Sequence, residues 1–316
     1  MGTNETTGPS ATEEGVGWQT KFRYVLNSDF VRSAPFWAVP FAIMAVAVYG
    51  GIGYNFAISL TDNNGTIEPA SFSNLDFEMY VQALSDPNVI QAATHNLILL
   101  VSFTAICLVF GLFLAIMLDR QIRYKETVQM IYLLPMSLSF VVTAQLWLWM
   151  YDTDSGIINE LLGLLSLGPI DFIGNPEIAL WAIIFALIWQ FSGYTMVVYL
   201  AGLQSIPSSQ FEAGMIDGAR TLRIYLRVII PQLKASSVSA AVVLMVFALK
   251  AFTFLYAMTG RYFPPQGTDI LATLMVREAW QYNNWAYSAA IATLLLLMAL
   301  GVIAPYLYYQ YREGSL

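Results

Sequence analysis

The sequence predicts an all-α membrane protein: six transmembrane helices, with a helical elbow between the fourth and the fifth. Three observations predict it. Of 316 residues, 57% are hydrophobic and only 11% are charged, where a soluble domain carries about 25% charged residues. Six apolar stretches approach or exceed the ~20 residues that a helix needs to cross a bilayer core. The cations also segregate. Lys21, Arg23 and Arg32, then Arg120, Arg123 and Lys125, then Arg220, Arg223, Arg227 and Lys234, and finally Arg312 fall in alternate loops and the termini. Loops 60–93 and 151–177 hold no Lys or Arg, and the remaining three cations, Lys250, Arg261 and Arg277, lie within or after the fifth span in the region facing outward. Cations collect on the cytoplasmic side, so both termini, the 119–127 loop and the elbow are expected there, in a multi-pass plasma-membrane protein.

The elements follow in order. Residues 1–33 form a cytoplasmic tail, and the polar composition of residues 1–17 predicts disorder. No basic region followed at once by an apolar run marks a signal peptide. The spans are 34–59, 94–118, 128–150, 178–200, 236–257 and 285–308. Pro135 and Pro305 predict local kinks. Loop 60–93 is external, with Pro69 and Pro87 as breakers. The run Asp152-Thr-Asp154-Ser-Gly156 reads as a turn before a short apolar helix over 157–165. It lacks the twelve-residue spacing and closing Glu of a calcium loop. Trp147, Trp149, Tyr306, Tyr308, Tyr309 and Tyr311 are expected in interfacial belts. Residues 94–310 form a five-helix core containing the elbow loop 205–234, and 311–316 are the cytoplasmic C-terminus. The net charge of −7 sits mainly in the tail and two outer loops, which suggests adaptation to a salty exterior.

The elbow, 208–235, mixes charges of both signs with helical periodicity. Ser209 and Glu212 have capping-box spacing, and Pro207 stands where a helix has not begun. A short helix is expected over 210–217, with Gly218 allowing a sharp turn. A second is expected over 219–230, stopping before Pro231. On it Leu222, Leu226 and Ile229 share one face, and Arg220, Arg223 and Arg227 another. Ala213, Gly214, Gly218 and Ala219 would let another surface approach the backbone. Physics alone leaves open a plain amphipathic loop joining two spans.

Glu212-Ala213-Gly214-x-x-Asp217-Gly218-Ala219, followed by Ile230-Pro231, resembles the E-A-A-x-x-D-G-A…L-P signature of permease subunits in binding-protein-dependent ABC importers. Residues 200–207 (Leu-Ala-Gly-Leu-Gln-Ser-Ile-Pro) and Gly156-Ile157-Ile158-Asn159 resemble its carbohydrate branch, the maltose and glycerol-3-phosphate permease type. The likeness covers roughly 94–304. Gly214 departs from the usual second Ala, and Ala235 stands where Pro often follows. Arg261-Tyr262-Phe263-Pro264 replaces the usual Gly-Gly-Pro. The resemblance implies a coupling loop that docks on a separate ATPase, carried by Glu212, Ala213, Gly214, Asp217, Gly218, Ala219, Arg220 and Arg223. In it Glu212 and Asp217 would fix the short helix. It also implies the first of two unlike permeases, two ATPase subunits that bind ATP and Mg, and an external solute-binding protein delivering a sugar.

Other chemistry is excluded by what is missing. None of the four lysines, Lys21, Lys125, Lys234 and Lys250, ends a phosphate-loop motif, so no ATPase site is expected in this chain. One Cys, Cys107, and one His, His95, cannot build an N/S metal cluster. Cys107 reads as a packed thiol and His95 as an interfacial polar residue. Polar groups within spans tend to face a cavity or the bundle interior. Gln145, Gln190, Lys250 and Thr253, with Trp189, Tyr194 and Tyr256 as flat faces for a sugar ring, are therefore pathway candidates. The rings equally suit packing, and the Lys250 amine equally suits snorkelling to the surface. An ion-coupled secondary transporter remains the alternative. A membrane-embedded enzyme lacks a catalytic cluster.

Overall fold

Long apolar runs with few breakers dictate helices here, and no strand occurs among the described residues. The computed structural model describes residues 29–62, 70–119, 124–259, 264 and 267–312. The tail over 1–17, Lys21 and Arg23, residues 120–123 of the expected 119–127 loop and the run 261–263 lie outside them. The chain divides into two compact units, residues 1–54 and 55–316.

In the first unit, α1 (Asp29–Ala45) contains Pro35 and Pro40 and leads through a π turn, Val46–Gly50, into α2 (Gly51–Ser59), which continues past the unit's last residue, Tyr54. Phe36, Phe41, Ile43, Val46 and Tyr49 are all exposed. A helix apolar on all sides suits lipid.

In the second unit, α3 (Glu78–Ser85) and α4 (Pro87–Asp119) follow. Part of the expected loop 60–93 is therefore helical. The second span opens at Pro87 because Asp86 ends α3 in an extended conformation, and Pro suits a first helical turn. Then come α5 (Lys125–Leu133), a 3-10 turn (Leu134–Ser137) and α6 (Phe140–Met150). The third stretch is thus no single helix, and its halves meet at 100°. Pro135 opens the 3-10 turn, and the Ser139 hydroxyl caps α6 by accepting from the Val142 amide at 3.2 Å. The short α7 (Ile157–Leu164) precedes α8 (Ala179–Gln204), the most buried helix.

After the elbow, α12 (Lys234–Leu249) and α13 (Phe252–Thr259) replace the expected fifth span. They break at Lys250 without a Gly or Pro. α14 (Leu271–Trp280) and α15 (Trp285–Arg312) complete the unit, and Pro305 lies inside α15. Among the described residues four helices are long and apolar enough to cross a membrane, or up to six if the bent pairs Lys125–Ser137 with Phe140–Met150 and Thr221–Gln232 with Lys234–Leu249 each count as one.

The main core joins α4, α6, α8, α12 and α13. Small residues let backbones close in. A Cβ on Gly111 would lie 2.2 Å from Thr195 Oγ1, and one on Gly193 2.0 Å from the Tyr132 carbonyl oxygen. Cys107 is fully buried, as expected. Trp147 is not in a belt. It is 4% exposed, packed against Tyr151, Phe185 and Trp189, while Trp149 is exposed. Asp152 forms the expected turn, its Oδ1 accepting from the Ser155 amide and hydroxyl, each at 2.8 Å. These bonds hold its carboxyl below the usual range.

Candidate functional site

The elbow is built from α9 (Ser208–Ile216), α10 (Thr221–Ile224), a π turn (Tyr225–Ile229) and α11 (Ile230–Gln232). Its first helix ends as the sequence predicts. Gly218 has φ +72°, a left-handed conformation that a Cβ resists. Around it the Ala219 amide donates to the Gly214 carbonyl and the Gly218 amide to the Met215 carbonyl, each at 3.0 Å. This pair of bonds is a Schellman motif, which satisfies carbonyls that the helix end leaves open.

Its start differs from expectation. Pro207 is the N-cap, so Ser209 falls inside the helix and no side chain caps it. The Ser209–Glu212 capping box does not form. Among the described residues neither Glu212 nor Asp217 makes a side-chain hydrogen bond or ion pair that would fix α9, and both are exposed. The second segment also corrects the prediction. It starts at Thr221, widens into the π turn and runs through Pro231 to Gln232. Because the helix restarts after the π turn, Pro231 sits in a first turn, where its missing N–H costs little. The widening rotates the faces. Ile224, Tyr225, Ile229 and Leu233 are buried, whereas Leu222 is 70% and Leu226 57% exposed.

Inside the elbow the two arms clamp. Phe211 of α9 meets the Tyr225 ring edge-on at 5.8 Å. Ile224 fills the space beside Gly214, where a Cβ would lie 3.0 Å from it. This contact accounts for Gly at a position where Ala is usual. Gln232 Nε2 donates to Gln210 Oε1 at 2.7 Å. Outside, Ala213, Met215, Ile216 and Gly218 are exposed, Ala219 partly so, and Arg220, Arg223 and Arg227 are exposed. These three arginines make no ion pair among the described residues. An open cleft of about 670 Å³ lies behind α9, lined by Asp119, Gln204, Phe211, Glu212 and Tyr225 among others.

The intramembrane candidates divide. Gln145 Nε2 donates to the Ala257 carbonyl at 2.7 Å, tying α6 to α13. Gln190 is 2% exposed and donates to the Leu138 carbonyl at 3.0 Å, holding the break before α6. Both amides therefore brace broken helices. Trp189 is 39% exposed and packs on Trp147. Tyr194 is half-buried. Lys250 caps α12 and is exposed, Thr253 is exposed, and Tyr256 is half-buried against Phe252.

At the end of the bundle away from the elbow, His95 is half-buried, and its Nδ1 donates to the Asp269 carbonyl at 2.8 Å. Asn96 Oδ1 accepts from the Leu271 amide at 2.8 Å. Sequence reasoning missed Asp119, which accepts from the Tyr225 hydroxyl at 3.0 Å. Its signal was a lone carboxylate closing the second apolar stretch.

Residues 107–313, well over half the chain, match the family described as binding-protein-dependent transport system inner membrane components. The chain belongs to this family. It is a multi-pass transport permease subunit. The xylose/arabinose import permease protein XacH of Haloferax volcanii is 69% identical over 306 residues, covering 97% of this permease and 96% of XacH. A probable ABC transporter permease protein of Pyrococcus horikoshii, PH1215, is 48% identical over 272 residues, 85% of this chain and 92% of that one. A solved bacterial ABC transporter involved in alginate import shares the fold, with TM-score 0.75 at 21% identity, over 92% of this chain and 99% of that one. Nothing in these likenesses points to an ion-coupled carrier.

Proposed function

We propose that this permease is one of two unlike membrane subunits of an ATP-driven importer for a pentose-sized sugar. Two ATPase subunits would bind ATP and Mg, and an external binding protein would deliver the sugar. The observation that carries the reading is the elbow. Its Schellman-closed helix α9 packs on the second arm, and the two arms together present Met215, Ile216, Leu222 and Leu226 outward with exposed arginines beside them. Such an apolar patch with a charged rim fits a protein partner. Segregation of Lys and Arg supports a cytoplasmic elbow and cytoplasmic termini. With the elbow outside the membrane, α5–α6 and α12–α13 each count as one span, giving six.

The sugar class rests on the likeness to XacH over nearly the whole chain. Of the intramembrane candidates, Trp189, Tyr194, Lys250, Thr253 and Tyr256 keep exposed surface for a pathway, while Gln145 and Gln190 brace it.

The test is affinity purification of the tagged chain from native membranes in gentle detergent, then uptake in proteoliposomes. A companion ATPase with a phosphate loop, a second permease, and ATP-dependent uptake of xylose or arabinose are expected. A chain that emerges alone in several detergents, or uptake that persists after ATP is removed, would overturn the reading.

A further inference from the structure

We propose that Asp119 and Tyr225 are the positioning pair through which α4 carries movement of the elbow to the far end of the bundle. The proposal rests on the importer reading above. α4 is a single helix of 33 residues. Its last residue, Asp119, accepts from the Tyr225 hydroxyl at 3.0 Å. Tyr225 opens the π turn, is 5% exposed, and lies edge-on to Phe211 of α9. A continuous path therefore runs from the docking helix through two rings and one charge-assisted bond into α4. Hydrogen bonds to charged groups are the stronger ones.

The other end of α4 is also bonded. Asn96 accepts from the Leu271 amide, and His95 donates to the Asp269 carbonyl. These contacts hold the segment that opens α14, where Arg277 pairs with Asp269. Asn96 and Asp119 are about 35 Å apart along the helix at ~1.5 Å per residue, roughly a bilayer core. One rod thus fastens the elbow to the opposite surface.

Two features favour motion over a static lock. An open cleft of about 670 Å³, lined in part by the exposed Glu212 and Met215, lies between α9 and the end of α8, with Asp119 and Tyr225 on its wall. α9 has room to swing while the pair stays closed. At the far end Asn96 Nδ2 is buried without an acceptor among the described residues. A buried unmet donor is costly and favours a second arrangement in which it is paired.

The experiment uses the complete complex in proteoliposomes. Binding-protein-stimulated ATP hydrolysis and uptake are measured together. A thiol at the far end, Thr94→Cys with Cys107→Ala, reports labelling with and without ATP. Tyr225→Phe keeps the ring on Phe211 and removes the bond. It should leave ATP turnover within about twofold, cut sugar moved per ATP by at least about fivefold, and abolish the ATP-driven labelling change, as for a lost coupling between sites. Asp119→Asn should act in the same direction. The double variant should be no worse than the worse single, since both act through one contact.

Unchanged uptake per ATP and unchanged labelling in Tyr225→Phe would overturn the proposal. So would joint loss of assembly and hydrolysis in all three variants, which would make the pair a plain structural lock. A parent complex that hydrolyses ATP without any uptake would refute the importer reading itself, a result distinct from failure of the pair.

Discussion

Gly193 shows how one missing side chain sets helix packing. A Cβ there would lie 2.0 Å from the Tyr132 carbonyl oxygen, a backbone atom that cannot rotate away. Gly193→Ala should therefore push α8 from the end of α5, at a cost of about 1–3 kcal/mol as for overpacked cores. Gly163 in α7 is the control, because a Cβ there meets nothing. Gly163→Ala should stabilise by about 0.5–1 kcal/mol through helix propensity. Thermal unfolding in detergent reads both, and equal midpoints would refute the packing argument. Asp152 adds a pH effect. Its folded carboxyl is held low by bonds from the Ser155 amide and hydroxyl. Its contribution is therefore present above the ordinary Asp range and lost as pH falls through the lowered value. Asp152→Ala should lower the midpoint slightly at neutral pH, and the gap should close in acid. A gap constant down to pH ~2, below the ordinary Asp range, would contradict this.

At the scale of elements, the elbow separates what sequence can show from what it cannot. The stop at Gly218 was legible, because only the left-handed region explains a Gly between two helical patterns. The start was not. Ser209 and Glu212 have the right spacing, but Pro207 took the cap and moved the frame by two residues. The buried face was also misread, because periodicity assumes 3.6 residues per turn and the π turn breaks it. The broken third span could be traced to Pro135 and Ser139, yet the break at Lys250 carries no local signal and belongs to tertiary packing. Intramembrane Gln residues drew attention as polar groups, but their bonds to the Ala257 and Leu138 carbonyls depend on helices distant in sequence. The elbow's tip gives a prediction. Gly218→Trp adds about 1–2 kcal/mol of backbone strain and a bulky ring on an exposed surface, where no atom lies within 4 Å of the position a Cβ would take. The chain should still insert and reach normal abundance, while uptake falls and the ATPase no longer responds to the binding protein. Normal uptake in that variant would count heavily against elbow coupling.

Across the whole molecule the charge distribution is one-sided. Loops 60–93 and 151–177 carry acidic residues without a Lys or Arg, in a chain of net charge −7. The structure shows how close some of them come. Asp62, Asp76 and Glu78 are exposed, with carboxylate oxygens within 4.8 Å of one another. Two like charges at ~4 Å repel by about 1 kcal/mol even in bulk water, and ions screen this as the Debye length falls from ~10 Å at 0.1 M to ~3 Å at 1 M salt. The permease should therefore gain thermal stability as NaCl rises through that range. The rise should depend on these loops. Asp62→Asn, Asp76→Asn and Glu78→Gln together should raise the midpoint at low salt and flatten its climb, converging on the parent at high salt. Parallel curves for parent and variant would mean that salt acts on apolar burial throughout the bundle, and that crowding of these carboxylates does not set the salt dependence.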